Sequence, residues 1–221
     1  MGNPNQRIIV VENSILFNSG KDYFERFRPS EQVDYESRIL SNFKIMRRGS
    51  SSEPADHPEG NAELNFNYKQ PIGYTIIFNP ELRKVFAYLR SSKDKQYGEK
   101  RLQGKWSWGF GGHIEPIDGK NGNMIKESVL RELDEEVSIQ GEKRELRNVG
   151  YINYDSNEVS KVHFGILYGL STDAKEIHLR DLEIARVDLV SMNELEEMCS
   201  SQNFEVEAWS KIALEPLRKL L

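Results

Sequence analysis

The apolar positions of this chain switch between a period of two and a period near 3.6, and the switches mark out its elements. Residues 8–11, IIVV, form a short β-branched run and predict a strand. Gly20 and Lys21 break the pattern. Ser30 precedes EQVDYESRILSNFKIM, where Val33, Ile39, Leu40 and Phe43 fall at roughly helical spacing. A helix is expected there, with Ser30 as its N-cap. Residues 49–61, GSSSEPADHPEGN, are polar and rich in Ser, Pro and Gly, and read as a linker. The boundary between an N-terminal extension with its linker (1–61) and a larger domain (62–221) is placed there.

The remainder alternates strands and helices. Residues 72–78 and 84–89 are strand-like and are joined by the turn residues Asn79 and Pro80. A charged loop, SSKDKQYGEK, follows, and then an aromatic, glycine-rich stretch at 106–114. Residues 124–137 have helical periodicity. Residues 146–154 and 162–170 predict a hairpin pair around residues 155–158, and 184–190 a last strand. Residues 192–199 and 206–221 read as helices, the second interrupted near Pro216. No segment repeats another. The economical architecture is α/β in the α+β sense, a mixed sheet covered by helices.

Composition narrows the function. The 221 residues include 30 basic and 35 acidic side chains, a net charge of −5. That balance argues against a general nucleic-acid binder, which carries a basic field. No run is long enough to span a membrane, and the N-terminus lacks the apolar stretch of a secretory signal. A lone cysteine, Cys199, excludes an internal disulfide and a multi-cysteine zinc site. The expectation is a cytoplasmic protein without nucleic-acid or membrane partners.

The chemistry concentrates in GGHIEPIDGKNGNMIKESVLRELDEEVSI, residues 111–139. Glu132, Glu135 and Glu136 stand at i, i+3 and i+4 and share one arc of a helix. Val129, Leu130, Leu133 and Val137 form an adjacent apolar stripe. Such a helix anchors by one side and presents three carboxylates on another. Their mutual repulsion is relieved by a divalent cation, and hard oxygen donors select Mg²⁺ or Mn²⁺ over zinc. Arg131 is placed to orient a carboxylate through a bidentate bond. A Glu-rich helix face is also the ordinary pattern of a solvated surface. The glycines just upstream, Gly109, Gly111 and Gly112, suit either a tight turn or close backbone approach to a ligand.

Together these residues resemble the Nudix box, G-x5-E-x7-R-E-U-x-E-E-x-G-U, where U is aliphatic. RELDEEVSI, residues 131–139, matches its second half except that Ser138 stands where the family has glycine. Gly112 matches the opening glycine, and Asp118 occupies the first glutamate position. The spacing from Asp118 to Arg131 exceeds the pattern by five residues, assigned to the loop GKNGN. Insertion into such a loop is thermodynamically cheap. The resemblance covers roughly residues 70–221 and implies a Nudix-type α/β/α sandwich. The extension, with YKQPIGYTII and RLQGKWSWGFGGHIEP, is similar to a MutT-type subgroup of phosphoesterases.

The resemblance implies divalent-metal-dependent hydrolysis of a phosphoanhydride in a nucleoside diphosphate linked to another moiety. On this chain Gly112, Glu132, Glu135 and Glu136 would hold Mg²⁺ or Mn²⁺, with Arg131 supporting the carboxylates and Glu132 or Glu135 acting catalytically. The general base in the family is a box-helix glutamate or one from a downstream loop. Here STDAKEIHLRDLEIAR offers Glu176 and Glu183, and Glu183 is preferred. Arg90, Arg101 and His113 are candidate substrate contacts, against surface or structural roles. His163 is read as structural, and Trp106, Trp108 and Phe110 stack a base or fill the core. The alternative function is a non-catalytic Nudix-fold sensor of a nucleotide derivative. An isopentenyl diphosphate isomerase needs a pocket cysteine, and Cys199 is far from the glycines. RNA decapping lacks its basic tract. The extension is expected to pack on the domain and to support a homodimer.

Overall fold

The computed structural model of the chain describes residues 3–91, 103–120, 122–156, 158–180 and 184–221. The order begins with β1 (Arg7–Glu12), the single turn α1 (Asn13–Leu16), β2 (Arg26–Pro29), α2 (Tyr35–Asn42) and β3 (Lys44–Arg47). It continues with β4 (Tyr68–Asn79), β5 (Lys84–Arg90), β6 (Trp106–Ser107), α3 (Met124–Glu136) and β7 (Val137–Ile139). The strands β8 (Lys143–Asn153), β9 (His163–Thr172), β10 (Ile177–Leu179) and β11 (Ile184–Ser191) follow, with the short α4 (Glu158–Val162) between β8 and β9. Helices α5 (Met192–Ser200) and α6 (Ala208–Leu217) close the chain.

The main sheet runs β11-β5-β4-β9-β8-β2. Its central pair, β4 and β9, is parallel, and the other described pairs are antiparallel. β4 is buried on both faces from Lys69 to Asn79. Ile77, Phe86, Phe164 and Ile166 face a core shared with Ile125, Val129 and Leu133 of α3. Their neighbours Ile76, Phe78, Val85 and Leu167 face a second core with Leu195 of α5 and Ile212, Ala213 and Leu217 of α6. A mixed sheet between two helical layers is the Nudix architecture. No helix among the described residues is long and apolar enough to cross a membrane.

The N-terminal segment joins this sheet. β1 pairs with β3 and, through Val11 and Glu12, with Lys69 and Tyr68 of β4. Ile9, Val11, Leu16, Phe17, Tyr35 and Ile39 enter the same core as α3. The ring of Tyr35 lies 4.8 Å from Tyr151 and 5.2 Å from Phe164. Packing of aromatic edges and faces adds to their burial.

The helix expected from Ser30 is a correction. It starts at Tyr35, and Asp34 is its cap, accepting a bond from Ser37 N–H at 3.0 Å. Ser30 instead donates to the Asn148 carbonyl at 3.2 Å. The helix stops at Asn42, and the residues after it form β3, because Ile45 and Met46 find partners in Ile9 and Ile8. Tertiary pairing overrides a helical pattern that was weak locally. The predicted hairpin of β8 and β9 is present, with α4 in place of a tight turn.

Candidate active site

The glycine-rich segment is a filler strand. It lies along β4 between β1 and β5, with Thr75 opposite Phe110 and Ile72 opposite His113. Thr75 N–H donates to Phe110 O at 2.7 Å, and Phe110 N–H returns to Thr75 O at 2.8 Å. Gly111 has φ +138°, and a Cβ there would overlap the Gly73 carbonyl. Only glycine tolerates that backbone and that approach. Gly73 in turn admits α3, since a Cβ on it would come 2.7 Å from Val129 Cγ2.

α3 begins where the inserted loop ends. The side chain of Asn123 accepts from Ile125 N–H at 3.0 Å and Lys126 N–H at 3.2 Å, so the insertion supplies the helix cap. Ile125, Val129 and Leu133 bury the inner face. At its other end the chain passes straight into β7, where Ser138 pairs with His178 in an extended conformation. No left-handed residue is required at that point, which accounts for serine where the family carries glycine.

The outer arc carries the carboxylates. Glu132 lies against Gly112: a Cβ on Gly112 would come within 2.7 Å of its carboxyl carbon. Glu136 accepts a bond from Gly111 N–H at 3.0 Å. Glu135 is the most open, its side chain 60% exposed against 15% for Glu132. Burial pushes the Glu132 carboxyl above the usual glutamate range, Arg131 pulls it back, and Glu135 and Glu115 add repulsion. The Gly112 carbonyl accepts from Gly73 N–H at 3.3 Å, which leaves it a second lone pair.

Arg131 organises this arc. Its Nη1 donates to Glu132 Oε1 at 2.8 Å and to Glu135 Oε2 at 3.2 Å. Its Nε and Nη2 bind Asp118 at 2.8 and 3.2 Å, and Nη2 also reaches the His113 carbonyl at 3.1 Å. Burial opposes its charge, but the bonds to Asp118 and the fields of Glu132 and Asp118 prevail and raise its pKa. The bidentate partner is therefore Asp118, a role the sequence did not disclose. Glu115 stands 3.8 Å away and accepts from Gln6 of the N-terminal segment at 3.1 Å.

The oxygen donors fit a hard divalent cation: three carboxylates and a backbone carbonyl, with no sulfur or nitrogen. Glu132 is the member for which a cation does most, since it is a partly buried carboxylate with Glu135 and Glu115 near it. The remaining candidates fall elsewhere. Arg90 is bound to Glu207 at 2.5 Å and to the Tyr88 hydroxyl at 3.0 Å. The His113 ring is buried, with Nε2 2.7 Å from Gln70 Oε1. Arg101 and Glu183 lie outside the described residues. Glu176 is exposed beside His178. Trp108 and Phe110 are fully buried and Trp106 is nearly so, which makes them core residues of the two opposite faces.

No family model matches the chain. It is 29% identical over 223 residues to the protein YmaB of Bacillus subtilis (strain 168), covering 98% of this chain and all of that protein. Among solved structures it resembles Tm1382, a candidate Nudix hydrolase. The TM-score is 0.73 at 25% identity, covering 98% of this chain and 100% of that one. The Nudix domain of Shewanella oneidensis NrtR, solved with ADP-ribose, shares the fold at a TM-score of 0.52 and 13% identity, over 69% of this chain and 88% of that one. With the full-length likeness to Tm1382, the three-layer sheet and the carboxylates of α3 beside Gly112, this chain belongs to the Nudix hydrolase superfamily.

Proposed function

We propose that the protein hydrolyses a phosphoanhydride in a nucleoside diphosphate linked to another moiety, using Mg²⁺ or Mn²⁺. The observation that carries this reading is the joint placement of Glu132, Glu135 and Glu136 on α3, beside the Gly112 backbone and under Arg131. A divalent cation held there by these carboxylates and the Gly112 carbonyl supplies charge neutralisation for the diphosphate and a more acidic bound water. Arg131, fixed by Asp118, orients Glu132 and Glu135 and keeps them from splaying. In the reaction a water oxygen attacks one phosphorus, the bridging P–O bond breaks, and the displaced phosphate leaves with the electron pair. The water proton passes to a carboxylate, assigned to Glu183 or to a box glutamate such as Glu135. ADP-ribose, the ligand of the NrtR domain, is one member of the substrate class to be tried.

The test is a panel of nucleotide sugars, dinucleoside polyphosphates, NADH, ADP-ribose and nucleoside triphosphates with each metal, with products identified by mass. Turnover of one diphosphate class, abolished by chelation, supports the reading. Tight binding of a nucleotide without any product over hours favours a metabolite sensor instead.

A further inference from the structure

We propose that Glu63, His113 and His163 form a second cation site, suited to zinc or a similar late first-row divalent ion, which clips the turn before β4 to the lead-in of the box and to the start of β9. Their candidate ligand atoms all lie within 4.8 Å of one another. The three come from separate parts of the chain: a short turn at Ala62–Leu64, the filler strand beside Gly112, and the first residue of β9. The two imidazole rings have centroids 5.5 Å apart. Among the described residues this is the one group of three ligating side chains drawn so close, and the box carboxylates are not.

The donor set separates this site from the box. Two imidazole nitrogens and one carboxylate are borderline ligands and favour Zn²⁺ over Mg²⁺. Zinc held at roughly 2.0–2.2 Å from tetrahedral ligands needs them about 3.4 Å apart, and these atoms lie within 4.8 Å of one another. Three protein donors leave a fourth position for water.

The surrounding contacts are those that support a metal ligand. Gln70 sits 2.7 Å from His113 Nε2 and pairs in register with His163 across the parallel strands. A proton held between Nε2 and the Gln70 carbonyl leaves Nδ1 with the free lone pair. Arg48 donates to Glu63 Oε1 at 3.0 Å, which orients the carboxylate and leaves Oε2 available. The Arg48 charge lowers cation affinity, and the Glu63 anion offsets it. Arg48 also reaches Gln6, which binds Glu115 beside Arg131, so the site and the box share one polar chain.

Zinc titration of the whole protein with excess Mg²⁺ present, against a competing chelator, tests the proposal without reference to turnover. One zinc equivalent is expected, and Co²⁺ in its place should give the visible absorption of a nitrogen-ligated four-coordinate ion. His163→Ala and Glu63→Gln should each weaken zinc binding at least about a hundredfold, with circular dichroism unchanged. Absence of saturable zinc binding in the wild-type chain overturns the site. So does a loss under tenfold in either folded variant, and Glu63→Gln serves if His163→Ala does not fold. Box-dependent hydrolysis is unaffected by that failure.

Discussion

Arg131 and Asp118 form a two-point ion pair, Nε to Oδ1 at 2.8 Å and Nη2 to Oδ2 at 3.2 Å, across the loop that lengthens the box. Asp118 also accepts from Glu115 N–H at 2.8 Å, so the carboxylate fastens helix and loop together. Its side chain is almost fully buried. The shorter side chain thus occupies the first acidic position as an anchor for the arginine. Asp118→Asn should lower stability by about 1–3 kcal/mol, because a half-buried guanidinium loses its counter-charge. Turnover should fall about tenfold or more as Arg131 releases Glu132 and Glu135. Urea unfolding and steady-state kinetics check both; unchanged values in each would remove the anchoring role.

Glu135→Gln and Glu136→Gln should each reduce kcat by at least about a hundredfold, the scale of losing one strong electrostatic group. Glu135 is exposed and glutamine at 136 keeps an acceptor for Gly111 N–H, so thermal melts should move little. Full activity in either variant contradicts its assignment as a metal ligand.

Two neighbouring glycines should respond differently to alanine. At Gly112 the new methyl meets only the movable end of Glu132, 2.7 Å from its carboxyl carbon. Stability should hold within about 1 kcal/mol while turnover drops at least about tenfold. At Gly111 the methyl meets the Gly73 backbone, and φ is +138°. Unfolding free energy should fall by about 2 kcal/mol or more. Equal effects at the two positions would contradict the close approach of Glu132 to Gly112.

Burial raises the pKa of Glu36, the hydrogen bonds from Tyr168 and Asn148 oppose that rise, and Asp34 adds to it. A carboxyl whose pKa is higher folded than unfolded stabilises below the unfolded value, near 4.5, and loses that contribution as pH rises through the folded value. Glu36→Gln keeps an acceptor for Tyr168 and removes the ionisation. Its melting temperature relative to wild type should therefore climb from pH 4 to pH 7. A flat difference across that range would show that Glu36 does not titrate in this way.

A chain starting at residue 62 should lose cooperative unfolding, since Ile9, Val11, Leu16, Phe17, Tyr35 and Ile39 leave the core that holds α3. Light scattering on the full chain tests the expected homodimer separately. A stable, cooperatively folded fragment would show that the N-terminal segment is dispensable.

The elements legible in the sequence were those with strong local patterns. β4, β5, α3 and β11 each carry a clear apolar period, and the Glu132–Glu135–Glu136 arc follows from helical geometry alone. β2, β3 and the β7–β10 pair were not visible, because four residues or fewer give no period and their conformation comes from distant partners. The Asp34 cap was obscured by Ser30, a better-placed cap for a helix that starts later than its pattern. Asn123, the cap of α3, was not picked out in the sequence, although asparagine just before an apolar-periodic run is a capping signal. The approach of Glu63 to His113 and His163 had none, as it depends on how β1, β3 and the filler strand stack beside β4.

Ile9 donates its N–H to the carbonyl of Ile114 at 2.9 Å, which ties the first strand to the lead-in of the box. Ile114 is made only when half the chain has been synthesised. On the ribosome one edge of the β-branched segment RIIVVE therefore stays unpaired until the filler strand is made. β3 arrives early and covers one side of it, and the other side waits for the filler strand and β4. The box thus completes late, on a platform laid down first. During that wait the open edge offers unpaired backbone groups to which another strand could add.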